Sequence, residues 1–273
     1  MSFFKNERIK ERERGFSQIQ QIQNNLNDSF SIHYSCESFY NTDGRTPRIA
    51  SISTLNFGSE QIKSFSIHKQ AQIKSYDFKH LTEEQFNECE LRMLKSFNSF
   101  LKENFDKNYV HWRMNSSDYG FEAINTRYQI LSNSSDVIDI KDKYKFDLSQ
   151  ILKLIYTKSY AEHGELGKLF TLKDINKYDS IKIISGKEEA EEFQFKNWNK
   201  IQSSTQAKVN IFKKIVDDIN TKNLKTNSKW FKTYGISLKG IAEAINNNIY
   251  LRILWWIILV IIGAFIKDYV LQE

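Results

Sequence analysis

Few side chains in this 273-residue sequence have the types and spacing that chemistry needs. Cys36 and Cys89 are the only cysteines, far apart and outside any Cys-x-x-Cys pattern. That argues against a disulfide framework and a structural zinc site, and it favours a reducing compartment. Cys36, between Ser35 and Glu37, reads as a buried, inert thiol on the opposite strand face. His68 and His111 fall in runs that read as strands, where a histidine is more often a satisfied core or rim residue than a catalytic one. Glu37 closes one such run and could be a solvated edge charge. Asp118 precedes the helical run Tyr119–Arg127 and is placed to cap it. Asp136, Asp139 and Asp147 supply further carboxylates, but no motif places them.

The elements that would position these groups are legible as patterns. Residues 4–28 look helical, a charged and then Gln/Asn-rich arm. SFSIHYSCESF (29–39), IASISTLNF (49–57) and QIKSFSIHK (61–69) alternate, and short turn-rich joins make them an antiparallel meander. Residues 82–105 form a strongly amphipathic helix, with Thr82 and Gln85 spaced as a capping box. NYVHWRM (108–114) reads as a strand, GFEAINTRYQIL (120–131) as a helix and VIDI (137–140) as a short strand. Helices follow at 146–156 and 164–175, and two more lie within 185–219 around Asn197–Asn199. The fold class is therefore α/β, a mixed sheet flanked by helices.

This order of elements resembles the ribonuclease H-like layout, and within it the DEDD family of 3′–5′ exonucleases, over residues 30–219. SCESFYNTDGRTPRIASIS occupies the place of that family's first motif, Asp-x-Glu on a strand, with Glu37 matching the glutamate. VHWRMNSSDYGFEAI resembles the second motif, with His111, Asn115 and Asp118 in corresponding places. FDLSQILKLIY resembles the segment that follows. The resemblance implies that Glu37 and Asp118 would ligate Mg²⁺ or Mn²⁺, with His111 as a further catalytic group. It also puts Asn115, Tyr119 and Lys208 against bound nucleic acid. The family's chemistry grips two divalent cations with four carboxylates. Here Ser35 stands at the first aspartate position, and the third-motif segment NKIQSSTQAKVNIF holds no aspartate. Half the ligand charge is missing, so the expected domain is catalytically degenerate and needs no cofactor. An active site would have to recruit Asp136, Asp139 or Asp147.

The strongest physical signal lies at residues 249–266, IYLRILWWIILVIIGAFI. Eighteen residues at 1.5 Å rise span roughly 27 Å, close to the ~30 Å hydrocarbon core. Arg252 sits near the entry end, where it can snorkel, and Trp255 and Trp256 lie where an aromatic belt belongs. The competing reading is a fully buried core helix. Lys225, Lys229, Lys232, Lys239 and Arg252 precede the segment, whereas Lys267 alone follows it. The positive-inside rule then expects a single-pass protein of the cell membrane, with the N-terminal domain cytoplasmic and a short tail outside. The start of the chain, MSFFKNERIKERERGF, lacks the apolar run of a secretory signal.

Composition bounds the rest. The 39 Lys and Arg against 33 Asp and Glu give a net charge of +6, compatible with nucleic acid or anionic lipid as partners but requiring neither. Twenty Phe, 13 Tyr and 5 Trp supply a packed core and exclude a disordered chain. The expected organisation is a helical arm (1–28), a ribonuclease H-like domain (29–221), a basic juxtamembrane linker (222–248) touching lipid headgroups, and a transmembrane helix (249–266) through which copies could associate. Three functions compete. One is a membrane-anchored domain that binds nucleic acid or nucleotide without cutting it, in a bacterial regulatory or defence-type role. The others are an active metal-dependent exonuclease with a rearranged site and a membrane-associated protein-interaction scaffold.

Overall fold

The computed structural model describes residues 7–38, 46–235 and 238–270. Helix α1 (Glu7–Gln23) leads into the meander β1 (Ser29–Cys36), β2 (Ile49–Asn56) and β3 (Ile62–Ser66). Helices α2 (Ile67–Ile73) and α3 (Glu83–Glu103) follow, then β4 (Asn108–His111), α4 (Phe121–Ser132), β5 (Lys145–Asp147) and α5 (Leu148–Tyr156). Next come α6 (Lys168–Ile175), α7 (Gly186–Gln194), α8 (Trp198–Asn220), α9 (Trp230–Tyr234), α10 (Leu238–Asn247) and α11 (Ile249–Val270). The strands form one sheet in the order β3-β2-β1-β4-β5. β1 pairs antiparallel with β2 and β2 with β3, while β4 runs parallel to both β1 and β5.

The mixed α/β class is as expected, and several element ends differ. The third strand stops at Ser66, so His68 lies on α2 and not on a strand. Residues 137–140 join no strand; β5 forms instead at Lys145–Asp147, three residues too short to show a period. The capping box at Thr82 and Gln85 is present in full and starts α3. The helix expected near the start of the chain is α1, and it packs on the rest of the fold. Ile19 and Ile22 are completely buried, and a Cβ at Gly15 would come within 2.6 Å of Ile155 Cγ1, so α1 crosses directly on α5.

The sheet has two unlike faces. On one, Ile32, Tyr34 and Ile52 meet Met93, Phe97 and Leu101 of α3 in an aromatic-rich core. Each such side chain contributes about 1.5–3 kcal/mol when fully buried. On the other face, strand alternation turns Ser31, His33, Ser35, Ser51 and Ser53 toward α8. The Ser31 hydroxyl donates to Val209 O at 2.8 Å, and the Ser51 and Ser53 hydroxyls each lie 3.1 Å from Thr205 Oγ1. Small side chains let α8 lie close on the sheet, and the Ser31, Ser51 and Ser53 hydroxyls find their partners on that helix.

Helix α11 contains Ile249–Lys267, a stretch long and apolar enough to cross a membrane, none of it buried within the protein. The buried-core-helix reading of this segment is therefore set aside. Arg252, Trp255 and Trp256 project from it, and the Arg252 guanidinium turns back to the Asn246 carbonyl.

Candidate functional site

Each residue named by the exonuclease resemblance has its own local partners in the fold. Glu37 follows β1 and ties the hairpin mouth: its amide donates to Arg48 O at 2.9 Å, and its Oε1 accepts the Arg48 amide at 2.8 Å. Asp118 lies exposed in the 115–120 loop and lines a second cavity of about 440 Å³, which shares Tyr34 and Cys36 with the main one described below. It does not cap α4, whose N-cap is Gly120. His111 is completely buried at the end of β4, with Nδ1 accepting the Met114 amide at 3.1 Å. Its ring meets the Phe121 edge. Burial lowers its pKa to about 4, against an opposing pull from Asp147, so it is a neutral core histidine near neutral pH.

The reserve carboxylates have other work. Asp147 caps α5 through Ser149 and accepts from Asn115 Nδ2 at 2.9 Å, which spends the amide expected at nucleic acid on an internal bond. Asp136 pairs with Lys102 at 2.5 Å, and Asp139 lies 3.6 Å from Lys145. Among the described residues, no group of three or more His, Cys, Asp or Glu side chains converges where a metal ion could sit. The donor set does not fit a pair of hard divalent cations.

What the fold assembles is a cavity of about 480 Å³ at the carboxyl ends of β1 and β4. Parallel pairing puts both strand ends on one side, the usual place for a ligand in such sheets. At its base, Lys208 Nζ on α8 meets Glu189 Oε1 on α7 at 2.7 Å, both side chains almost fully buried. The Ser204 hydroxyl donates to the same oxygen at 2.7 Å. Beside this pair, Ser35 Oγ and His33 Nε2 are buried without a hydrogen-bond partner among the described residues. Burial, followed by the Lys208 charge, holds the His33 pKa well below its ordinary value. The Cys36 thiol is pushed up to about 12, first by burial and then by Glu189 and Glu37, so it is no nucleophile.

One wall is aromatic. Tyr119 stacks on Tyr34 with centroids 4.6 Å apart, and its hydroxyl donates to Tyr34 O at 3.1 Å. Trp112 stacks on Phe212. The rim is basic, with Arg113, Lys168 and Lys187. Burial lowers the Lys168 pKa, and the nearby positive charges of Arg113, Lys153 and Lys158 push the same way. Four basic side chains thus face two carboxylates, Glu37 and Glu189, around a space large enough for one nucleotide unit.

Of the residues singled out in sequence, Ser35, Cys36, Glu37, Tyr119 and Lys208 line this cavity; Asp118, His111 and Asn115 do not. His33, Arg113, Lys168, Lys187 and Glu189 were missed. Lys208 carried a readable signal, a lysine on the apolar stripe of α8 between Thr205 and Phe212. Glu189 carried none, being one of several glutamates in KEEAEEF. Compared with protein-family models, curated proteins and solved structures, the chain matches none.

Proposed function

We propose that this chain is a single-pass membrane protein whose head is a ribonuclease H-like domain that binds nucleic acid or nucleotide without hydrolysing it. The observation that carries the reading is the cavity at the ends of β1 and β4, basic at its rim and aromatic on one wall. Backbone phosphates suit Arg113, Lys168 and Lys187, and an unstacked base suits Trp112. The strand order β3-β2-β1-β4-β5, an antiparallel meander continued by parallel strands, supports the ribonuclease H-like assignment. Against hydrolysis stands the Glu189–Lys208 pair. An ammonium already neutralises the carboxylate at the cavity base, and Ser35 cannot bridge two cations.

Helix α11 supplies the anchor, with the head on the cytoplasmic side by its flanking lysines. A bound head held at the membrane suits a regulatory or defence-type role. The test is binding of a fluorescent single-stranded oligonucleotide and of free nucleotides to the full chain in detergent micelles. Affinity should fall steeply with salt, and Lys168→Glu with Lys187→Glu should weaken it by at least about tenfold. No binding at low salt overturns the proposal in favour of a scaffold. Degradation that requires Mg²⁺ or Mn²⁺ overturns it in favour of a nuclease.

A further inference from the structure

Residues 222–248 read in sequence as a basic linker, yet residues 225–234 are fastened to the head. The Asn176 amide brackets the Lys225 backbone, donating to its carbonyl at 3.1 Å and accepting its N–H at 2.8 Å. The Asn227 amide donates to Tyr160 O at 3.0 Å, and the Ser228 hydroxyl donates to Tyr156 O. Two arginines of α1 then grip α9. Arg8 Nε donates to Thr233 O at 3.0 Å, and the Arg12 guanidinium lies 4.4 Å over the Tyr234 ring. Both arginines also reach Ile155 O, at 2.6 and 2.5 Å, which ties α9 to α1 and α5 together.

The same short helix presents two large aromatics to solvent. Trp230 is 57% exposed and Phe231 41%, packed edge to face against each other with centroids 6.4 Å apart. A single exposed aromatic means little. Here the pair is held out by a clamped backbone, and Lys225, Lys229 and Lys232 of the same short segment are exposed as well. An indole beside a cluster of lysines is the composition of a membrane interface, where the ring sits at headgroup depth and the ammonium groups meet lipid phosphates.

The chain leads from this patch to the apolar helix with little slack. A Cβ at Gly240 would lie 2.3 Å from Tyr234 O and 3.0 Å from Gly235 O, so α10 starts hard against the end of α9. Ile241 on α10 is also exposed. Asn248 Oδ1 then accepts the Tyr250 and Leu251 amides at 2.9 and 3.3 Å and starts α11. We propose that Trp230 and Phe231 seat in the interfacial layer of an anionic bilayer, with Lys225, Lys229 and Lys232 on the headgroup phosphates. The head then stands on the membrane in one fixed attitude and does not swing on a tether. This rests on the anchoring role given above to α11.

The experiment uses the full chain in vesicles of phosphatidylcholine with phosphatidylglycerol as the minority lipid, some lipids brominated at a shallow acyl position. Tryptophan emission of the wild type is compared with that of Trp230→Phe, a substitution that keeps an aromatic ring. The difference between the two isolates Trp230. It should be blue-shifted, quenched by the shallow bromines and shielded from aqueous iodide, and weaker in all these respects without phosphatidylglycerol. A difference signal that is red-shifted, open to iodide and blind to the bromines overturns the seating alone, provided that Trp255 and Trp256 are quenched. A protein that does not float with the vesicles overturns the anchor, and the seating with it.

Discussion

Two buried ion pairs flank the sheet, and their surroundings differ in a way that separates holding the fold from meeting a ligand. Between α3 and α4, Glu90 and Arg127 form a two-pronged bond: Nε to Oε1 at 2.9 Å and Nη2 to Oε2 at 2.6 Å. The Ile49 amide adds a third donor to Oε1 at 2.8 Å, so both carboxylate oxygens are occupied. Burial still raises the Glu90 pKa despite the guanidinium. Between α7 and α8, Glu189 and Lys208 meet at a single oxygen and open on the 480 Å³ cavity. A sealed pair has no alternative to its partner, whereas a pair facing a cavity can exchange a partner for water or ligand. On the function proposed above, the pair on the aromatic face holds the fold together and the pair on the hydroxyl-lined face meets the ligand.

The largest effect is expected at the sealed pair. Arg127→Met strands the Glu90 carboxylate and should cost the head about 3–5 kcal/mol, read by denaturant unfolding of the full chain in micelles. Oligonucleotide affinity per folded molecule should not change. Equal loss of both would mean that the two faces are not independent.

A pH titration probes the same contrast through histidine. His111 has a folded-state pKa of about 4 against 6.5 for an ordinary histidine, so its neutral form is favoured by folding. Above 6.5 both states are neutral and the full stability is present. As pH falls from 6.5 toward 4 the unfolded chain takes up a proton that the folded one refuses, and up to about 3 kcal/mol is lost. His111→Gln should make that limb shallower without removing it, because burial lowers the pKa of His33 and His68 in the same direction.

At the open pair the expected cost to stability is smaller. Lys208→Met should destabilise the head by about 1–2 kcal/mol, because cavity water can reach the Glu189 carboxylate. Oligonucleotide affinity should fall by about tenfold, since the site loses one of its four positive charges. A stability loss as large as that of Arg127→Met would show that this pair is sealed after all. The smallest effect belongs to the carboxylates of the exonuclease resemblance. Asp118→Asn should change stability by less than about 0.5 kcal/mol, as befits an exposed loop residue, and leave affinity unaltered in a fluorescence titration.

Much of the architecture was legible because it is periodic. The meander follows from alternation, and α3 from its capping box and apolar stripe. The third strand ran too long on paper because Phe65, Ile67 and Ala71 are all buried and suit a strand or a helix equally well. The shortness of β5 hid it, and the flanking VIDI run attracted the strand reading with no ladder to join. The site was less legible for a different reason. Its cavity is lined from β1, the ends of β4 and α6, and the faces of α7 and α8, which no local spacing connects. Only Lys208, a charge on an apolar stripe, and Ser35, Cys36, Glu37 and Tyr119, in or beside recognisable motifs, could be named from the chain alone.

The central claim is that the cavity beside Lys208 holds a nucleic-acid strand and leaves it whole. Photo-crosslinking tests it in one measurement. A single-stranded oligonucleotide bearing thiouridine is irradiated with the full chain in the presence of Mn²⁺, and the adducts are mapped by mass spectrometry. The expected product is an intact strand joined to residues around the cavity, Trp112, Tyr119 or Lys187 among them. A shortened strand, or adducts confined to the basic segment from Lys222 to Lys232, would contradict it.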